Sequence, residues 1–493
     1  RHCILIEFHA GFRILTPFGG EDGEIVTVAE GQLQGTINDG IYRYLGVPYA
    51  EAAERFVIAG PVTPWEGVLK ADSYGPMSPQ GSMLGFGAGN QDGTDNNCQN
   101  LNIWTPGLND GGLRPVLVWL HGGGFSTGTA NDSSYDGEAL AKNGDVVVVS
   151  VNHRLNVFGY LDLSAYDEKY KDSANVGMWD IIAALEWIQQ NIEVFGGDPD
   201  NVTVFGQSGG GAKVLGLMST PYAVGLFHKG IVESGVTETV GVNFTSQEAS
   251  TRLAENLLAE LNIAPENIEQ LQIVAVDKLQ SAATKALDAT AQEFQIPAPL
   301  TDGYQMEWEP VVDGDFLPTS PVTETNFADA GQDIPLLIGS NLNEWTGFYR
   351  TSTDGVDTDA LSAALKTAYP DKTDLTADHV DTLIRLPILK TMSHKADQNG
   401  APVYAYLLTY GSSNHGAEIP YIFRHSDVSA MNDLFSSIWV NFARSGVPSA
   451  DSLPTWEPYT REGGATMLLD TTSQLVYHHD AALLKLLAPD YEY

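Results

Sequence analysis

Cysteine is nearly absent: Cys3 and Cys98 are the only two among 493 residues. At most one disulfide could form, so cysteine usage does not identify a compartment. Basic residues are scarce as well, with 25 Lys+Arg against 63 Asp+Glu and a formal net charge of −38. Such a surface repels phosphate backbones and anionic membranes, which argues against nucleic acid as a partner. The acid excess fits a solvated surface suited to saline surroundings and equally a protein that only needs solubility; composition leaves both readings open. No apolar run reaches the roughly eighteen residues of a membrane-spanning helix, and no repeat or linker divides the chain. The opening stretch RHCILIEFHAGFRILTPFGG has neither the long apolar core nor the small-residue cleavage site of a secretory signal, and does not begin with Met. The expectation is a poorly ordered or non-native segment over residues 1–23 and a single domain over 24–493. Compartment stays open, with a secreted or periplasmic location ahead of a cytoplasmic one. Oligomeric state stays open too, with a monomer ahead.

What is present is a set of short apolar, β-branched runs: Val116 to Leu120, Val146 to Val151, Val202 to Phe205, Ile231 to Val232, Leu336 to Ile338 and Val403 to Leu408. Several are followed by glycine-rich turns and helical patterns, the alternation of a mainly parallel sheet covered by helices. Their near-continuous apolarity means burial on both faces. Met178, Ile181, Ile182, Leu185, Ile188 and Ile192 recur at helical spacing, and Gly196-Gly197-Asp198-Pro199 ends that helix. A second helical region runs from about Ser246 to Asp288, with Leu253, Leu257, Leu258 and Leu261 as its first apolar stripe. It predicts a helical insertion at about 246–330. Gln80 to Asn97, rich in Gly, Asn, Asp and Gln, reads as a surface loop.

Two glycine-rich motifs carry chemistry. Gly206-Gln207-Ser208-Gly209-Gly210 follows the strand pattern Asn201 to Phe205 directly, as a nucleophile elbow must, because the chain turns sharply there from strand to helix. Alone the pattern is weak, since a chain with 50 glycines would supply it by chance about 0.3 times. His121-Gly122-Gly123-Gly124-Phe125 stands right after Val116 to Leu120, where a hydrolase of this kind carries backbone amides for an oxyanion. Two such motifs in this order, each behind its own strand, make Ser208 the candidate nucleophile. Gly123, Gly124 and Gly209 become the candidate oxyanion donors. The base must suit proton transfer near neutral pH, which selects histidine. Of the eleven, His415 follows the run Val403 to Leu408 by a short loop, at the strand's carboxyl end. The acid falls between Ser and His in this fold, leaving Glu344, after Leu336 to Ile338, and Asp313 or Asp315 as competitors.

Ordered blocks along the chain then reveal a resemblance. Tyr44 to Glu51 (YLGVPYAE), Leu101 to Pro106 (LNIWTP), the HGGGF segment, Val151 to Arg154 (VNHR), Phe195 to Pro199 (FGGDP) and Val202 to Gly206 (VTVFG) are similar to the type-B carboxylesterase and lipase family. These are the cholinesterase-like α/β-hydrolases, and the chain resembles their bacterial or fungal carboxylesterases from about Gly35 to Tyr459. The resemblance implies an α/β-hydrolase fold, with a large, mostly parallel central sheet, helices on both faces and a helical insertion. It implies the catalytic roles for Ser208, Glu344 and His415, and prefers Glu344 over Asp313 and Asp315. Glu418 matches a buried acid behind the histidine, against the plain reading of a surface carboxylate, and Ser234 matches a supporting serine.

The chain also departs from the family. Gln207 stands where many members carry Glu, and Trp345 where a glycine usually follows the acid. Ser78 stands where the partner of Cys98 would be, so that bridge cannot form. Asn96 replaces an acid that pairs with the arginine matched by Arg55, while Arg154 and Asp180 keep another structural ion pair. The loop Gln80 to Asn97 has no tryptophan to face a quaternary ammonium, which argues against choline esters. The expected function is a serine carboxylesterase acting through an acyl-enzyme on neutral esters of short to medium acyl chain, with no cofactor and no metal. A fold relative that lost its serine and serves adhesion is the alternative, as is an amidase, carbamate or polyester hydrolase on the same triad.

Overall fold

A computed structural model describes residues 20–83, 91–238, 243–345 and 349–493. Its strands are β1 (Glu21–Val28), β2 (Gly31–Asn38), β3 (Ile41–Pro48), β4 (Val68–Lys70), β5 (Asn100–Thr105), β6 (Arg114–Leu120), β7 (Val147–Val151), β8 (Gly197–Gln207), β9 (Lys229–Glu233), β10 (Thr245–Ser246), β11 (Val311–Val312), β12 (Leu336–Asn341), β13 (Val403–Leu408), β14 (Ala465–Leu469) and β15 (Gln474–Tyr477). Thirteen form one sheet, in the order β1-β2-β3-β5-β7-β6-β8-β9-β12-β13-β14-β15 with β4 beside β2, and β10 pairs with β11 apart from it. From β7 to β14 every neighbour is parallel; toward the two ends the pairs are antiparallel, except for β4, which runs parallel to β2.

Strand β6 shows why its apolar run is continuous. Val116, Val118 and Leu120 enter one core, Leu117 and Trp119 the opposite one, as side chains alternate across the sheet. The helix Val176–Asn191 brings Met178, Ile181, Leu185 and Ile188 to the first core. The helix Ser429–Ser445 brings Phe435, Ile438, Trp439 and Phe442 to the second. After Asn191 a short 3₁₀ turn, Ile192–Phe195, ends at Gly196 in the left-handed conformation, φ 72°, so the predicted stop falls on a glycine that such a cap favours.

Two boundaries differ from the sequence expectation. Residues 1–19 lie outside the described residues, but β1 begins at Glu21 and pairs with β2 through Glu21 and Ile37, so 21–23 belong to the sheet. A register shift between Asp22 and Ile25 breaks the alternation that would have revealed this strand. The region assigned to a helical insertion over 246–330 is helical only in its first part, with helices Gln247–Leu261 and Val276–Phe294 around a 3₁₀ stretch Pro265–Ile273. Beyond Phe294 the chain is irregular apart from β11 and one 3₁₀ turn, since Pro297, Pro299, Pro310, Pro318 and Pro321 remove backbone donors that a helix needs. Of the expected loop Gln80 to Asn97, residues 84–90 lie outside the described residues; from 91 to 97 only a bridge of Thr94 to Met77 interrupts it.

Candidate active site

The parallel register brings the carboxyl ends of β6, β8, β9, β12 and β13 to one edge, with Leu120 opposite Gly206, Gln207 opposite Glu233, and Asn341 opposite Leu408. Ligand sites of open α/β sheets lie at such an edge. The loops that leave it carry His121 to Gly124, Ser208, Ser234, Glu344 and His415.

Ser208 joins β8 to the helix Gly209–Leu217 with φ 58° and ψ −124°, a conformation that costs a non-glycine residue about 1–3 kcal/mol. It persists because both sides of the turn are held: Ser208 N donates to Glu233 O at 2.8 Å, and Ser208 O accepts from Ala212 N at 3.0 Å. The flanking glycines are required by contact. A Cβ on Gly210 would lie 2.0 Å from Leu120 O, and one on Gly206 2.5 Å from the Gly210 carbonyl carbon.

The glycine loop presses on this elbow. A Cβ on Gly209 would meet Gly124 O at 2.2 Å, and one on Gly122 would approach Ser208 Cβ to 3.4 Å. Gly123 and Gly124 have φ 88° and 59°. Gly122 O faces His121 Nδ1 at 2.8 Å, and Gly123 O accepts from Ser126 N and Thr127 N at 3.3 and 3.1 Å. Because trans peptides point N–H opposite to C=O, the amides of Gly123 and Gly124 are turned to the other side of the loop.

On the acid–base side, Glu344 Oε2 lies 2.6 Å from His415 Nδ1. Its other oxygen accepts from Ser234 Oγ at 2.6 Å and from Asn341 N at 2.7 Å, so the carboxylate has one orientation and one free edge for the imidazole. His415 N also donates to Glu344 O at 2.9 Å. His415 Nε2 is buried and has no hydrogen-bond partner among the described residues, Ser208 Oγ included. The histidine loop adjoins the elbow, since a Cβ on Gly416 would lie 3.7 Å from the Gln207 amide. Trp345 stacks on the imidazole, ring centroids 4.4 Å apart and planes at 27°. Glu418 is buried and accepts from Asn341 Nδ2 at 2.6 Å.

The competing acids stand elsewhere. Asp313 accepts from Asn175 Nδ2 and from the amides of Asp315 and Leu317, and Asp315 accepts from Tyr222 Oη. Those bonds shape a turn. Among the other histidines, His121 and His153 are buried and stacked on each other at 4.9 Å, and His228 Nδ1 faces Val202 N. His479 has a side chain only 7% exposed, packed on Tyr369.

Burial alone would pull the His415 imidazole down, but the Glu344 carboxylate and its hydrogen bond, helped by the charges of Glu418 and Asp381, outweigh it and hold the pKa above 6.5. The surrounding carboxyls move upward: Glu418 and Asp381 through burial and then the Glu344 charge, Glu233 through burial and then Glu418. Among the described residues no group of three or more His, Cys, Asp or Glu could hold a metal ion. No helix among them is long and apolar enough to cross a membrane.

The departures have local solutions. Cys98 is a free, buried cysteine beside Ser78, whose hydroxyl accepts from Leu155 N at 3.0 Å. Arg55 donates to the carbonyls of Leu271 and Val274, and Asn96 to those of Ala52 and Glu54. Arg154 holds Asp180 through two bonds of 2.8 and 2.6 Å, with both side chains fully buried. Sequence reasoning missed Asn341, Asp381 and Lys213. Only Lys213 carried a signal, a lone charge in the apolar run Ala212-Lys213-Val214-Leu215.

A parallel sheet of this order, with a strained serine at the end of β8 and a histidine–glutamate pair at the ends of β13 and β12, defines an α/β-hydrolase fold. The sequence pattern described as the Carboxylesterase family matches residues 22–377 and 360–483, and the chain belongs to that family. It is 33% identical over 486 residues to the para-nitrobenzyl esterase of Bacillus subtilis (strain 168), covering 91% of this chain and 95% of that one. It is 30% identical over 492 residues to the phenmedipham hydrolase of Pseudarthrobacter oxydans, covering 90% and 94%. Among solved structures, an esterase from the anaerobe Clostridium hathewayi that can hydrolyze aliphatic aromatic polyesters superposes with a TM-score of 0.82 at 32% identity, covering 94% of this chain and 98% of that one. The activity is accordingly that of a carboxylic ester hydrolase.

Proposed function

We propose that the protein hydrolyses neutral carboxylic esters of short to medium acyl chain through an acyl-enzyme on Ser208. The observation that carries this reading is the Glu344–His415 contact of 2.6 Å with the second imidazole nitrogen left free beside the elbow. His415 Nε2 takes the proton of Ser208 Oγ as that oxygen attacks the ester carbonyl. The amides of Gly123, Gly124 and Gly209 receive the oxyanion. When the tetrahedral intermediate collapses, His415 returns the proton to the departing alcohol. Water then repeats the sequence on the acyl-enzyme and releases the acid. Glu344 fixes the tautomer that leaves Nε2 unprotonated and stabilises the imidazolium. Ser234 and Asn341 hold Glu344. The uncharged Gln207 before the nucleophile supports a preference for uncharged substrates.

The Ser208→Ala variant tests this directly. It should keep the native melting temperature and lose about 10⁶-fold in kcat on p-nitrophenyl esters from acetate to palmitate. One equivalent of a serine-directed organophosphate should label the wild-type chain and none the variant. An adhesion domain would take up no label, and wild-type turnover in the variant would sink the assignment. A second reading, polyester hydrolysis on the same triad, is favoured by the likeness to the polyester-cleaving esterase, and soluble acids released from a polyester film would measure it.

A further inference from the structure

Lys213 lies on the helix Gly209–Leu217, about one turn beyond Gly209, and is fully buried. Its ammonium donates to Gly124 O at 2.7 Å and to His121 O at 3.2 Å, and sits 4.8 Å from the centre of the Phe125 ring. All three partners belong to the glycine loop. Among the described residues no carboxylate pairs with it, and burial without a counter-ion pulls the ammonium down to about 7. Its titratable neighbours, His121 and His153, are themselves held neutral by burial and by the lysine's charge. A methionine would fill the same space without the cost of a desolvated charge, so a purely packing role does not account for a lysine here.

The two peptide units that would donate to the oxyanion have their carbonyls, Gly122 O and Gly123 O, bonded within the loop. Lys213 holds the carbonyls on either side of them. One of these, Gly124 O, is the atom against which Gly209 packs with no room for a Cβ. A single side chain therefore sets the spacing between the loop that carries two amides and the helix that carries the third.

We propose that Lys213 is a positioning residue for the oxyanion hole, tying both ends of the loop that holds Gly123 and Gly124 to the helix that holds Ser208 and Gly209. This rests on the reading of those amides as the oxyanion donors. Misplacing amides by a fraction of an ångström weakens the transition state while leaving the bound ester nearly untouched.

The test compares wild-type enzyme with the Lys213→Met and Lys213→Gln variants, using p-nitrophenyl butyrate and an aryl trifluoromethyl ketone, which adds Ser208 to give a hemiketal oxyanion. Lys213→Met should lower kcat about 10- to 100-fold, with KM within about threefold, and the ketone's Ki should weaken in parallel with kcat/KM. Lys213→Gln, one atom shorter but still a donor, should recover part of that loss. A kcat of a folded Lys213→Met variant within about threefold of wild type, a Lys213→Gln variant no more active than Lys213→Met, or a loss confined to KM overturns the proposal. So does failure of both variants to fold, because positioning leaves the fold intact. A wild-type enzyme that binds the trifluoromethyl ketone no tighter than the unfluorinated ketone would instead sink the oxyanion reading itself.

Discussion

Around Ser208 the site is built almost wholly of backbone, whereas around His415 it is built of side-chain carboxylates. The elbow and its loop contribute glycines and main-chain amides, and the Lys213 ammonium is buried against the loop's carbonyls. The histidine side gathers Glu344, Glu418 and Asp381, all buried. Ester cleavage moves negative charge toward the carbonyl oxygen and positive charge onto the imidazole. In the proposed mechanism each region therefore supplies, before any substrate arrives, the field opposite to the charge it will receive. The overall charge of −38 does not extend into the elbow, and that local exception is what the chemistry requires.

Replacing Glu344 by Gln is the largest break in this comparison short of removing the nucleophile. The amide keeps the shape, but it can present its N–H₂ to Nδ1 and select the tautomer with the proton on Nε2. We expect kcat to fall about 10⁴-fold with little change in KM, measured by steady-state hydrolysis of p-nitrophenyl acetate. A loss below about tenfold would mean that another acid orients His415.

A smaller effect should separate charge from geometry. In the proposed mechanism His415 must be neutral to accept the serine proton, and against the downward pull of burial its pKa is held above 6.5 by Glu344 with help from Glu418 and Asp381. In the wild type kcat/KM should fall as pH drops through that raised value. Glu418 is itself pushed up to about 7 by burial and then the Glu344 charge, so it is mostly protonated low on that limb and charged only toward its alkaline end. In Glu418→Gln the limb should therefore move slightly to lower pH, with the difference greatest above about pH 7. The plateau itself should change by no more than about threefold. An unmoved or alkaline-shifted limb would show that Glu418 does not act on His415 electrostatically.

The two regions also differed in how well the sequence revealed them. Gly206 to Gly210 and His121 to Phe125 are contiguous, because backbone amides in a strained turn need glycines at fixed neighbouring positions. The Glu344–His415 pair spans 71 residues, and only the logic of strand ends and a family resemblance joined its members. Asn341 and Asp381 gave no local sign, since their roles depend on loops from distant strands meeting. In the fold, strands buried on both faces announced themselves as apolar runs. The antiparallel β1, β2 and β3 did not, because exposed positions in β1 and β2 and bulges at Asp22/Ile25 and Tyr44/Val47 blur the alternation. The insertion was overextended beyond Phe294 because the leucine stripe near its start says nothing about where the prolines will end it.

Trp345 gives the finest resolution of the comparison. In resembling proteins a glycine usually follows the acid; here an indole lies 4.4 Å from the His415 ring at 27°, next to a histidine side chain that is 17% exposed. An aromatic face attracts imidazolium more than imidazole, by about 0.5–1 kcal/mol when partly exposed. It should therefore favour the transition state over the ground state and add to what the carboxylates supply. Trp345→Phe keeps a face and should retain most activity, while Trp345→Gly should lower kcat, not raise KM, by about two- to fivefold. Equal losses in both variants would assign the indole to loop shape alone, and the stabilisation of the imidazolium would then belong to the carboxylates without help from the ring.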